Sequence, residues 1–152
     1  MAKKGQLSDM MQHYMQVKEK YSDCLIFYRL GDFYEMFFDD AVRASNLLDL
    51  TLTGRDCGLE QRAPMCGVPF HASENYIAKL VSLGEKVAIC EQVQDPSEAK
   101  GLVKREVVRV VTAGTVTSEG SLDEKQNNYI CSVYKNGNEV AIGWADITTG
   151  EM

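Results

Sequence analysis

The chain has 152 residues, 45% hydrophobic and 25% charged, with a net charge of −6 and a pI of about 4.9. That is enough for one ordinary domain or one domain plus a fragment, with the composition of a soluble globular protein. No apolar run approaches the ~18 residues of a membrane span, and Met1-Ala2-Lys3-Lys4-Gly5-Gln6 has no apolar core behind it to make a secretory signal, so the expectation is a cytoplasmic protein without a membrane partner.

Residues 1–6 read as a disordered start. From Leu7 to about Tyr21, Leu7, Met11, Tyr14, Met15 and the aliphatic stem of Lys18 recur at helical spacing, with Ser8 as N-cap. The apolar run Cys24-Leu25-Ile26-Phe27-Tyr28-Arg29-Leu30 reads as a strand, Gly31-Asp32 as a tight turn, and Phe33 to Phe37 as the returning strand. A helix is expected from Asp39 or Asp40 to Leu48, with its acids at the N-terminal end of the dipole and an apolar stripe of Ala41, Ala44, Leu47 and Leu48. Thr51-Leu52-Thr53 reads as a short strand and Gly54 to Pro64 as an exposed loop. Met65 to His71 reads as a rigid loop, and Ser73 caps a helix running to Leu83, with Gly84 as its stop. Lys86 to Val93 and Val103 to Thr112 are β-branched-rich strands, joined by a loop marked by Asp95-Pro96. Residues 114–128 are polar and read as a linker, followed by a hairpin over 129–147 with Asn136-Gly137 as its turn. The fold expected is therefore α/β of the α+β type: a mixed sheet flanked by about three helices over residues 7–113, then a separate hairpin over 129–152.

The five cysteines are odd in number and contain no Cys-x-x-Cys pair, which favours reduced thiols over a disulfide framework. Cys24 and Cys90 fall in apolar strand patterns and read as core. Cys57, Cys66 and His71 match no common zinc spacing. The acidic balance, taken alone, disfavours nucleic acid as a partner, because phosphate contacts supply most non-specific affinity.

Four segments in order change that expectation. Phe27-Tyr28-Arg29-Leu30-Gly31-Asp32-Phe33-Tyr34-Glu35-Met36-Phe37 is followed by Pro64-Met65-Cys66-Gly67-Val68-Pro69-Phe70-His71-Ala72, then Val87-Ala88-Ile89-Cys90-Glu91-Gln92, then Val108-Arg109-Val110-Val111-Thr112-Ala113-Gly114-Thr115. Together they closely resemble the mismatch-recognition domain of bacterial MutS proteins, from about Leu7 to the end of the chain. The resemblance implies that Phe33-Tyr34-Glu35 is the family's Phe-x-Glu motif. It also implies that residues 129–152 are the truncated start of a ribonuclease H-like connector domain. The implied partner is double-stranded DNA carrying mismatches or small insertion/deletion loops. In the full-length family protein a second MutS protomer and a MutL-type partner are implied as well. ATP and Mg belong to an ATPase far downstream, so no cofactor is expected here, and the fragment is expected to be monomeric and to bind DNA weakly without the clamp domains.

Each candidate residue carries a competing structural reading. In a strand Phe33 and Glu35 point the same way, which sets an aromatic plate beside a carboxylate. By pattern alone Phe33 is a core aromatic. With the resemblance it is an exposed wedge at the mismatch, with Tyr34 and Met36 facing inward, although Tyr34 also belongs to the implied DNA-binding set. Glu35 is either the contact to the mismatched base or, with Asp32 three residues before it, half of a capping box for a helix starting at Phe33. Arg55 is a solvated surface arginine or, by resemblance, a phosphate contact. Met65, Gly67, Pro69 and His71 resemble the family's loop beside the wedge. Core packing for Met65 and a hydrogen-bonded structural role for His71 stay open. Lys100, Lys104, Arg105 and Arg109 read as a solvated strand face.

Catalysis finds little support. There is no P-loop signature and no Ser-His-Asp order. Glu91-Gln92 with Asp32 or Asp40 faintly suggests a metal-dependent nuclease, but Val93 stands where such a site would place a lysine. Asp146 resembles a lone ribonuclease H-type carboxylate. The reading from sequence is a DNA-binding module and not an enzyme.

Overall fold

A computed structural model describes residues 5–94, 101–115, 129–146 and 150–151. The expected Asp95-Pro96 loop, Lys100 and most of the 114–128 segment lie outside the described residues. The chain divides into two compact units, Met1–Thr112 and Ala113–Met152. Among the described residues no helix is long and apolar enough to cross a membrane.

In the first unit the elements run α1 (Asp9–Lys20), β1 (Leu25–Leu30), β2 (Phe33–Phe37), α2 (Phe38–Leu48), β3 (Thr53–Arg55), β4 (Ala63–Pro69), α3 (Ser73–Ser82), β5 (Val87–Gln92) and β6 (Arg105–Val111). The six strands form one mixed sheet in the order β3-β4-β2-β1-β5-β6. Only β1 and β5 pair in parallel; the other neighbours are antiparallel. The expected mixed sheet with three helices is the fold observed.

The central strands β1 and β5 are buried on both faces over their first four residues, while β2 and β4 alternate in part. Met36, Cys66, Val68, Phe27 and Ile89 are buried, and α2 and α3 pack on the sheet through Ala41, Ala44, Leu48, Ile77 and Leu80. A second cluster joins Met11, Tyr14 and Val17 of α1 to Ile26, Tyr28, Phe37, Ala63, Ala88 and Cys90 of the sheet. Met15, expected on the apolar stripe of α1, is exposed, and Val17 takes its place.

Four expectations need correction. The strand expected at 51–53 lies at Thr53–Arg55, so Gly54 and Arg55 are ladder residues and not loop. The expected loop 65–71 is mostly strand β4, an interior strand between β3 and β2. Its two prolines hid it: proline lacks a ladder donor and argues against an interior strand. Here Pro64 and Pro69 stand near its two ends. Ser73 does not cap α3 but begins it. Phe70–Ala72 forms a 3-10 turn just before, and the Ser73 hydroxyl donates to the Phe70 carbonyl at 2.8 Å. Arg105, expected on a solvated face, is buried, its guanidinium over the Tyr28 ring and its Nε donating to the Arg29 carbonyl at 2.8 Å.

Asp40 is the main buried charge of this unit. It accepts the Tyr14 hydroxyl at 2.9 Å and the Ile26 amide at 3.1 Å, and pairs with Lys18 Nζ at 2.8 Å. A carboxylate removed from water in this way stands only because its lone pairs are filled. Burial, and then the Asp40 charge, raises the Tyr14 phenol and pushes the Cys66 thiol up to about 11.

The second unit holds an antiparallel hairpin, β7 (Tyr129–Asn136) and β8 (Glu139–Asp146). Asn136 pairs with Glu139, so the turn is Gly137-Asn138, one residue later than expected, with Gly137 in the left-handed region at φ 58.

Candidate nucleic-acid interface

The β1–β2 turn ends at Gly31-Asp32, where Gly31 adopts φ +57 with open space around it. The Asp32 carbonyl accepts the Phe70 amide at 2.8 Å, which ties the 3-10 turn after β4 to the hairpin tip. Register then fixes what the tip presents. Phe33 pairs with Leu30 and Pro69, and Glu35 with Tyr28 and Gly67. Directly paired residues share a sheet face, so Phe33, Glu35, Gly67 and Pro69 stand together, continuing the face that α1 covers further down through Tyr14, Tyr28 and Phe37. Phe33 is 47% exposed, whereas its strand neighbours Tyr34 and Phe37 are buried. The capping-box reading of Asp32 and Glu35 is not what forms: Phe33–Phe37 is a strand.

Glu35 is engaged. Arg55 Nη1 donates to its Oε2, a contact that crosses β4 from β3 to β2. The glutamate side chain is 15% exposed and the arginine 37%. Gly67 lies beneath this contact; a Cβ built there would come 3.2 Å from the Tyr34 carbonyl oxygen and 3.4 Å from Glu35 Cγ. An open cleft of about 300 Å³ adjoins the pair, lined by Phe33, Glu35, Thr51, Thr53, Met65 and Gly67.

The structure thus brings Phe33, Glu35, Arg55, Met65, Gly67 and Pro69 to one side of the sheet. Tyr34 lies on the other side, 3% exposed, with its ring against Phe27 and Phe70 and its hydroxyl on Glu91. Burial and then that carboxylate raise its phenol well above the ordinary value. His71 is exposed in the 3-10 turn just past Pro69. The nuclease carboxylates do not converge: Glu91 serves Tyr34, and Asp40 serves Tyr14, Lys18 and Ile26.

Sequence reasoning missed two residues here. Phe70 is 45% exposed, and the Arg29 guanidinium lies 3.5 Å from its ring centroid, a close cation–π contact. Arg29 Nε also donates to the Gly31 carbonyl at 2.5 Å, so one side chain braces both turns of the tip. Arginine in the Phe-Tyr-Arg-Leu run was the available signal.

Residues 8–120 match the family profile described as MutS domain I. The chain belongs to the MutS family. Over 148 residues, 97% of the chain, it is 67% identical to a protein of Ruminiclostridium cellulolyticum named DNA mismatch repair protein MutS. Proteins of the same name from Acetivibrio thermocellus and Clostridioides difficile are 65% and 58% identical over 146 and 147 residues, 96% and 97% of the chain. The chain spans 16–17% of the length of these MutS relatives. The matched MutS region takes in the whole six-stranded sheet and all the tip residues described above.

Proposed function

We propose that this MutS domain I reads mismatched base pairs and small insertion/deletion loops in double-stranded DNA, as the recognition module of a larger ATP-dependent repair protein. The observation that supports it best is the pairing of an exposed Phe33 with a carboxylate on the same face of a braced hairpin tip. Phe33 wedges into a base step and Glu35 contacts the mismatched base. Unstacking a step and kinking the duplex costs a few kcal/mol. A mismatched step has already lost part of its pairing and stacking, so the same kink is cheaper there, and stacking on the ring returns about 1–3 kcal/mol. Local DNA stiffness is thereby converted into affinity. Met65, Gly67, Pro69 and His71 form the surface beside the wedge, while Tyr34 serves from behind by holding β2 in place.

In this reading the domain is a binding module. ATP and Mg act elsewhere in the full-length protein, which works with a second MutS protomer and a MutL-type partner in the cytoplasm, while the isolated chain is monomeric. Residues 7–113 form the reading domain, and the hairpin of β7 and β8 belongs to the start of a ribonuclease H-like connector.

The test is a low-salt titration of the chain with a G·T heteroduplex and its matched homoduplex, followed by backbone amide shifts, alongside heteroduplex binding by the full-length protein with Phe33→Ala. Shifts centred on Phe33, Glu35 and residues 65–71, larger for the heteroduplex, are expected, together with loss of the heteroduplex preference in the variant. A variant that still prefers heteroduplex would remove Phe33 from the reading role.

A further inference from the structure

Arg55 has two possible partners, and the fold gives it the intramolecular one first. Glu35 is on β2 opposite Gly67, while Arg55 is the last residue of β3, opposite Ala63. Their side chains meet across β4, and position 67, paired with Glu35, carries no side chain. The pair is partly in solvent, the setting in which ion pairs are weak and readily exchanged. The cleft beside Glu35, lined by Phe33, Thr51, Thr53 and Met65, leaves the carboxylate room to part from Arg55. A guanidinium matches phosphate as well as it matches carboxylate, through the same planar fork. A polyanion brought to this face pulls on Arg55 and repels Glu35, which weakens the pair but leaves it closed until Glu35 has another partner.

We propose that Glu35 and Arg55 are an exchangeable pair: without a mismatch Glu35 occupies Arg55 in place of a DNA phosphate, and a mismatch releases Arg55 to the backbone. This rests on the reading above, in which Phe33 enters the duplex only at a weakened step. Once Phe33 is inserted, Glu35 gains a base edge and lets go of Arg55, which then takes a phosphate. On intact duplex the wedge stays out, Glu35 has no base to contact and keeps Arg55, and one favourable phosphate contact is withheld. Glu35 therefore acts twice, once on the base and once as an internal competitor for the cation beside it. Arg55 is a specificity-determining residue whose contribution depends on the state of the DNA.

Salt dependence separates the two states of Arg55, because each phosphate neutralised adds about 0.9 to the slope of log K against log salt. The experiment uses the full-length protein without nucleotide, G·T heteroduplex and matched homoduplex, and the variants Glu35→Gln, Arg55→Gln and their double. Arg55→Gln is expected to lower the heteroduplex slope by about 0.9 and leave the homoduplex slope unchanged. Glu35→Gln is expected to tighten homoduplex binding several-fold and raise its slope by about 0.9, a gain that disappears in the double variant. Equal loss of slope on both duplexes with Arg55→Gln would mean that Arg55 always holds phosphate, and no loss on either that it never leaves Glu35; both overturn the exchange. Arg55→Lys keeps the charge and is expected to restore the slope, which separates a lost contact from a damaged fold. Phe33→Ala in the same assay reports on the underlying reading: if that variant keeps its heteroduplex preference, the wedge fails whatever Arg55 does.

Discussion

Two carboxylates in this domain, Asp40 and Glu35, show what burial does to an ion pair. Asp40 sits under α1, holds Lys18, Tyr14 and the Ile26 amide at once, and closes the covered end of the domain. Glu35 sits at the open tip, where the described contacts give it a single charged partner, Arg55, itself partly in water. The first arrangement has every reason to stay as it is, since opening it strands a charge in a low-dielectric interior. The second loses little by opening, because water or DNA can take up either partner. The two carboxylates thus differ in the number and burial of their partners more than in their chemistry.

Substitutions can break or sharpen this contrast. Asp40→Ala leaves the Ile26 amide without its side-chain acceptor and Lys18 without its counter-charge, and is expected to destabilise the chain by about 3–5 kcal/mol, read as a lowered urea midpoint. A midpoint shift below about 1 kcal/mol would put Asp40 in the same class as Glu35. At the open end, Phe33→Ala removes a side chain that is nearly half in solvent and is expected to change stability by at most about 1 kcal/mol in the same assay. A loss as large as that for Asp40→Ala would make the tip part of the core after all. The smallest effect concerns His13, whose Nδ1 lies 2.8 Å from the Tyr28 hydroxyl. Burial, then the Arg105 and Lys20 charges, hold its pKa below 6.5 in the folded state. The unfolded chain therefore binds this proton first as pH falls, so stability from His13 is complete above about pH 6.5 and is lost as pH drops through the folded value. His13→Gln is expected to flatten the stability profile between about pH 7 and 5, and an unchanged slope would exclude His13 as its source.

Much of the fold was legible because local signals agreed. The hairpin 25–37 carried an apolar run, a Gly-Asp turn and an aromatic return, and both α2 and α3 carried their apolar stripes. β4 was not legible, because its register is set by strands far away in sequence and its prolines argue locally for a loop. Phe33 and Glu35 could be placed on one face from strand period alone. The ion pair of Glu35 with Arg55, twenty residues apart and on non-adjacent strands, could not, nor could the inward turn of Arg105 beneath Arg29. Local pattern indicates which way a side chain faces, whereas its partners depend on sheet order.

The same burial pattern sets how the thiols of this chain react. Cys66 on β4 and Cys90 on β5 are buried and pushed up to about 11 and about 12, so neither supplies thiolate to an alkylating reagent while the sheet is closed. Cys131, on β7, is exposed and open to reagent. Alkylation therefore proceeds in two stages, a prompt one at Cys131 and a delayed one gated by the parting of strands. The delayed stage takes in all four buried thiols, Cys24, Cys57, Cys66 and Cys90; because Cys66 and Cys90 stand on opposite sides of the β1–β2 hairpin, those two report separately on the two flanks of the sheet that carries the hairpin tip.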